Sequence, residues 1–171
     1  MNIGKFRNAI FAVVYSKNHR RVLNSSCNPT GSRSSFKKNQ TDSGIEYLIL
    51  HRVKHWTGWE FVKGKIEMFE TKKMAVRREV KEETGLKILK IKRFHIDGLY
   101  KYKKKLKDRP GIIGQQYHLF AAEVKKGKVR IDRREHSGHK WVKFNEARKK
   151  LTWKNQKKCL KIVDGWLKDE I

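Results

Sequence analysis

The sequence predicts one domain of the α/β (α+β) class. Six segments read as strands: Arg7 to Ser16, Gly44 to Lys54, Trp59 to Val62, Lys87 to Tyr102, Ile112 to Val124 and Gly138 to Phe144. One helical segment, about Lys72 to Thr84, is set among them, and two more, Asn145 to Leu151 and Trp153 to about Lys168, close the chain. There is no internal repeat and no linker that would mark a second domain. At 171 residues the chain can bury a full-sized core as a single unit.

The first strand is concentrated in Ile, Phe, Val and Tyr. Lys5 and Arg7 precede its apolar run, as in a signal peptide, but the run is short and no A-x-A cleavage site follows, so a buried strand is expected. Residues 17–43 are polar, with the stretch SSCNPTGSRSS, and read as a flexible insertion. GIEYLILHRVK is a strong second strand, and the Trp59 to Val62 strand leads into a glycine. Thr71 is placed to cap the first helix, and Gly85 to end it in the left-handed conformation. Lys87 to Tyr102 alternates apolar and basic residues, as a half-buried strand does. The run KYKKKLKDR and a Pro110-Gly111 turn separate it from IIGQQYHLFAAEV. Thr152 is expected to cap the last helix.

Formal net charge is +26 and the isoelectric point about 10.3. Such a field attracts polyanions and speeds their encounter, so RNA is a candidate partner through the basic surface. Cys27 and Cys159 are far apart and in no CxxC arrangement, which indicates neither a zinc site nor a disulfide framework and fits a cytoplasmic setting. No segment is long and apolar enough to span a membrane as a helix.

The stretch that carries chemistry is GKIEMFETKKMAVRREVKEETGL, Gly64 to Leu86. On its helix Glu79, Glu82 and Glu83 are spaced i, i+3 and i+4, so three carboxylates gather on one face. Clustered anions gain nothing on a surface unless cations share the space, and oxygen-liganded divalent ions such as Mg²⁺ or Mn²⁺ are the natural guests. A merely solvated acidic face would leave the Gly64–Glu70 spacing, and so much acid in so basic a chain, unexplained.

This stretch resembles the Nudix box: G, five residues, E, seven residues, R-E, an apolar residue, any residue, E-E, any residue, G and an apolar residue. Gly64, Glu70, Arg78, Glu79, Val80, Glu82, Glu83, Gly85 and Leu86 meet every fixed position. One departure is Phe69, where E-x-G-E boxes carry a small residue; another is Val62, where proline is common. The resemblance implies a mixed sheet sandwiched between helices, with the box as a loop-helix-loop. It also implies metal-assisted hydrolysis of a nucleoside diphosphate linked to some moiety X. Glu79 and Glu83 would be metal ligands, with Glu82 a third or water-mediated one and the Lys63 carbonyl another. Arg78 would orient the glutamates and Glu70 would buttress the loop. The general base would be a box glutamate, such as Glu82 or Glu79, or one from a distant loop.

The distant candidate is Glu135, in REHSGHKWV, which is similar to the E-H-x-x-Y-x-W segment of the asymmetrical dinucleoside tetraphosphate hydrolases, with His139 in place of the tyrosine. In those enzymes the glutamate reaches the metals and the histidine lies near phosphate, which would be His136 here. WEFVKGKIE, GQQYHLFAA and the W-V-x-F-x-E-A ending look like the branch holding those hydrolases and RNA 5′-pyrophosphohydrolases. Gln115 and Gln116 would then lie near the nucleotide, Tyr117 would stack on a base or join the core, and Lys63 and Lys65 would contact phosphate. Three functions stay open: hydrolysis of diadenosine tetraphosphate to ATP and AMP, RNA 5′-end pyrophosphohydrolysis, and nucleic-acid binding with little catalysis. The protein would act as a monomer or homodimer.

Overall fold

The computed structural model describes residues 5–17 and 44–170. The expected insertion at 17–43, apart from Lys17, lies outside the described residues, as does Cys27. The elements run β1 (Lys5–Lys17), β2 (Ile45–Arg52), β3 (Gly58–Glu60), β4 (Val62–Lys65), α1 (Lys72–Thr84), β5 (Ile88–Lys101), β6 (Ile112–Val124), β7 (His136–Val142), α2 (Phe144–Lys150) and α3 (Lys154–Asp169). The single strand expected over 59–62 is two short ones, and the second carries Gly64 inside it.

The strands form one mixed sheet in the order β3-β2-β1-β6-β5, with β4 on β1 and β7 on β2. Among the described strands only the β1–β6 pair is parallel, running in register from Phe6↔Gly114 to Tyr15↔Glu123. Along β1 the antiparallel partner changes. Tyr15, Ser16 and Lys17 pair with β2, whereas Ala9, Ile10, Phe11 and Ala12 pair with β4. The short β3 and β4 therefore bring Lys63 and Gly64 beside the first half of β1, and this parting of β1 from β2 positions the site.

Side chains alternate across the sheet and give it two apolar faces. Ile10, Ala12, Val14, Leu48, Leu50 and Phe120 pack beneath Val76 and Val80 of α1. Phe11, Val13, Tyr15, Tyr47 and Leu119 pack against Leu160, Val163 and Leu167 of α3. Each fully buried Val or Leu contributes about 1.5–3 kcal/mol, so both helices are held by packing rather than by propensity. The sheet is thus sandwiched between helices. β5 forms the sheet edge opposite β3, and its lysine-rich alternation leaves its outer face in water.

Caps match the sequence at α1 and depart from it at α3. Thr71 accepts a hydrogen bond from the Met74 amide at 3.2 Å, and Gly85 ends α1 at φ 72°. Thr152 does not cap α3; Trp153 holds that position without a side-chain hydrogen bond. The Thr152 hydroxyl instead accepts from the Trp59 amide at 3.0 Å, and the Thr152 amide donates to the Trp59 carbonyl at 3.1 Å. The hydroxyl is used to join two loops.

Candidate active site

A cleft of about 1190 Å³ opens where β1 parts from β2, and its walls include Gly64, Glu79, Glu82, Glu83 and Glu135. The box supplies its floor. A Cβ placed on Gly64 would lie 1.8 Å from the Glu79 carboxyl, so only glycine lets this strand pass under the helix. Arg78 organises the loop-to-helix corner. Its guanidinium forms a paired hydrogen bond with both Glu70 oxygens at 2.9 Å, and it reaches Glu79 at 2.7 Å, Glu82 at 3.2 Å and the Lys65 carbonyl at 2.8 Å. Glu70 also accepts from the Glu67 amide at 3.0 Å, tying the loop to α1. The hydrogen bonds from Arg78 hold the Glu70 carboxyl below its usual range.

The three helix carboxylates differ in setting. Glu82 is open to solvent, with its side chain 59% exposed, whereas the Glu79 side chain is 12% exposed and Glu83 is buried. Burial pushes the Glu79 carboxyl up to about 7, against the opposing pull of Arg78. Burial, then the nearby Glu60 and Glu79 charges, push Glu83 well above the usual range, and its Oε2 is buried without a hydrogen-bond partner. Glu135 faces them from the turn before β7. Burial works against its charge, but Lys54 at 2.8 Å and Arg52 at 3.1 Å outweigh it and hold the carboxyl below its usual range.

Beneath the cleft lies an ionic cluster that motif reading missed. Fully buried Glu60 bonds the Arg52 guanidinium at 2.8 Å, pairs with the Lys63 ammonium, and lies 3.4 Å from His136. Burial opposes the Glu60 charge, but Lys63, His136 and Arg52 keep the carboxyl below its usual range. Arg52 then spans Glu60 and Glu135, linking the floor to the β7 turn. Its signal was legible: Leu48, Leu50 and Arg52 alternate on one face of β2, so a cation was due on an apolar side.

The sequence candidates divide accordingly. Glu79, Glu82, Glu83, Glu135, Lys63 and Lys65 all line the cleft, and Arg78 stands behind its glutamates. Lys63 points its ammonium into the ionic cluster rather than into open space, and Lys65 pairs with Glu67 at 2.8 Å. His136 is completely buried beside Glu60, away from the lining. Gln116 is exposed outside the cleft, while its neighbour Gln115 lines it. Tyr117 belongs to the core, stacked on Phe11 with ring centroids 4.1 Å apart. Alternation along β6 turns Gln115 inward to the cleft and Gln116 to the other face.

Phe69 has φ 64° and is 96% exposed, so it fills no pocket. The left-handed backbone is what favours glycine at that position of the box. Phe69→Gly is expected to raise stability by about 0.5–1 kcal/mol, measured by chemical denaturation with activity retained. An unchanged or lower midpoint would refute the strain.

The sequence profile of the NUDIX domain matches residues 37–161. The chain belongs to the NUDIX family. That membership makes it a hydrolase of phosphorus-containing acid anhydrides. Solved structures agree on the fold. An Ap4A hydrolase from C. elegans, in a binary complex, superposes with a TM-score of 0.67 at 19% identity, covering 95% of this chain and 98% of that one. The dihydroneopterin triphosphate pyrophosphohydrolase of E. coli gives 0.64 at 18% identity, covering 91% and 94%. The NUDIX domain of Shewanella oneidensis NrtR, complexed with ADP ribose, gives 0.66 at 12% identity, covering 95% and 89%.

Proposed function

We propose that this Nudix hydrolase cleaves a dinucleoside tetraphosphate, diadenosine tetraphosphate giving ATP and AMP, by attack of water on phosphorus. The observation that carries the reading is the convergence of Glu79, Glu82 and Glu83 with Glu135 on one cleft, under a rim of basic side chains. Among the described residues, no three acidic, His or Cys side chains stand close enough together to hold an ion as they are now placed. The donor set nonetheless fits one. The partnerless Oε2 of Glu83 and the raised Glu79 carboxyl are what a site built around a hard cation leaves behind when the cation is left out of account.

Glu79, Glu82, Glu83 and the Lys63 carbonyl are the groups that would hold Mg²⁺ or Mn²⁺. Such an ion neutralises phosphate oxygens and lowers the pKa of a bound water. The protein's own part is orientation and proton transfer. Arg78 fixes Glu79 and Glu82, and the Arg52–Glu60–Lys63 cluster fixes β4 and the Glu135 turn. Glu82 is the better general base, because Arg78 engages only one of its oxygens, whereas each Glu135 oxygen is already engaged by a cation, Lys54 or Arg52. Lys65, and cations such as Arg7 and Arg109 on the facing wall, neutralise the polyphosphate.

A second reading, hydrolysis at a triphosphorylated RNA 5′ end, is favoured by Lys101, Lys103, Lys104 and Arg109 along one wall of the cleft. Turnover by the purified protein with Mg²⁺ or Mn²⁺ decides. ATP and AMP from diadenosine tetraphosphate support the first reading. Phosphate or diphosphate from triphosphorylated RNA, with steep salt dependence, supports the second. Tight salt-sensitive RNA binding without turnover of either would support a binding domain and sink both.

An ion-dependent pH effect follows. The Glu79 carboxyl rises from an ordinary 4.5 to about 7 on folding. Its contribution to stability is therefore complete below about pH 4.5 and is lost as pH rises through about 7. In EDTA the difference in unfolding midpoint between the wild type and Glu79→Gln should shift against the wild type from about pH 5 to about pH 8. Excess Mg²⁺ should restore the wild type more at the higher pH. Equal Mg²⁺ shifts at both would contradict the assignment.

A further inference from the structure

Outside the box, the cleft carries two tryptophans that none of the catalytic chemistry uses. Trp56, after β2, and Trp153, before α3, are half-buried in its wall, with ring centroids 5.2 Å apart and planes at 72°. Exposed Leu99 lines the same cleft from the facing wall. From this geometry we infer that Trp56 and Trp153 form a nucleobase platform, holding the base of the nucleotide whose phosphates lie over the carboxylates. The inference rests on the functional reading above and extends it to the recognition of the base.

The two rings are held in place by separate devices. His55, immediately before Trp56, has a left-handed backbone at φ 69°, a costly conformation for a residue other than glycine that sets the direction of the next side chain. At Gly58 a Cβ would lie 2.8 Å from the Trp56 ring and 2.3 Å from the Thr152 hydroxyl, so the glycine lets the two loops close. Thr152 then pins them through its paired hydrogen bonds with Trp59, and Trp59 forms an isolated bridge with Leu151. Rings so fixed lose little further freedom when a ligand arrives.

Each ring already carries a cation. The Lys63 ammonium lies 5.1 Å from the Trp56 centroid, buried on Glu60, and is structural. The Lys103 ammonium lies 5.2 Å from the Trp153 centroid, on a residue exposed to solvent. An exposed cation over a ring is held weakly, whereas a stacked base is held more strongly. A base therefore displaces Lys103 from Trp153 and frees its charge for the adjoining phosphate. Every base has a π-face, so the platform selects nucleotides over bare polyphosphates, with larger purines held best.

The test compares AMP with ribose 5-phosphate, which carries the same phosphate and lacks the base. Neither has an anhydride to cleave, so binding can be followed by tryptophan fluorescence or titration calorimetry without turnover. The wild type is expected to bind AMP about ten-fold or more tightly than ribose 5-phosphate. Trp153→Ala should reduce that margin to about two-fold or less, and Trp153→Phe, which keeps a ring, should retain most of it. Circular dichroism of each variant confirms the fold. Equal binding of the two ligands by the wild type, or a margin that survives in folded Trp153→Ala, overturns the platform. Base-selective binding without hydrolysis of any phosphoanhydride would instead leave the platform standing and sink the functional reading.

Discussion

Glu83→Gln is expected to lower kcat by about a hundred- to ten-thousand-fold while leaving the fold intact or slightly more stable. The two effects have opposite signs for one physical reason. Glu83 is buried among Glu60, Glu79 and Glu135, where burial and like charge oppose its ionisation. An amide of the same shape removes that cost, and with it the anionic oxygen an ion requires. Steady-state kinetics beside thermal unfolding in EDTA separate them. Full hydrolysis by Glu83→Gln would show that the metal assignment is wrong, and a collapse of stability would show that its carboxylate is structural.

Glu60→Gln should produce the largest loss of stability, about 3 kcal/mol, or about 10 °C in unfolding midpoint. Glu60 is fully buried and is the anion shared by Arg52 and Lys63. Removing one partner of such a cluster leaves uncompensated charge in a dry site. Burial already pushes the Lys63 ammonium below its usual range, although Glu60 opposes this, so Lys63 can shed its proton and hold the loss near the lower end of what broken buried pairs cost. Arg52 keeps Glu135 at 3.1 Å. Differential scanning calorimetry measures the shift, and a midpoint within about 2 °C of wild type would contradict the role given to the cluster.

What could be read in advance was local. Thr71, Gly85 and the i, i+3, i+4 glutamates depend on a few neighbouring residues, and the box loop and helix follow from them. The burial of β1 was legible in its unbroken apolar run, Ala9 to Tyr15, which meets both helical layers. What escaped depends on which strands meet. Glu60 reaches Arg52 because β3 pairs with β2 in the register Leu50↔Glu60 and Arg52↔Gly58, which no motif encodes. Its place after Glu135 predicts His136 beside phosphate, yet it opens β7, where pairing with Arg52 buries it under the cleft. Thr152 resembled a cap because its spacing was right, but the approach of the Trp59 loop offered its hydroxyl another partner. Trp56 and Trp153 lie 97 positions apart in sequence (153 − 56) and meet only through those two loops.

The central claim is that the carboxylates of α1 direct water onto phosphorus in an ion-dependent reaction. Hydrolysis of diadenosine tetraphosphate in oxygen-18 water, with the products resolved by mass spectrometry, tests it most directly. With Mg²⁺ or Mn²⁺, the heavy isotope is expected on a phosphoryl oxygen of AMP or of ATP, with no product in excess EDTA. Products formed equally fast in EDTA, or carrying no heavy oxygen on phosphorus, would contradict it.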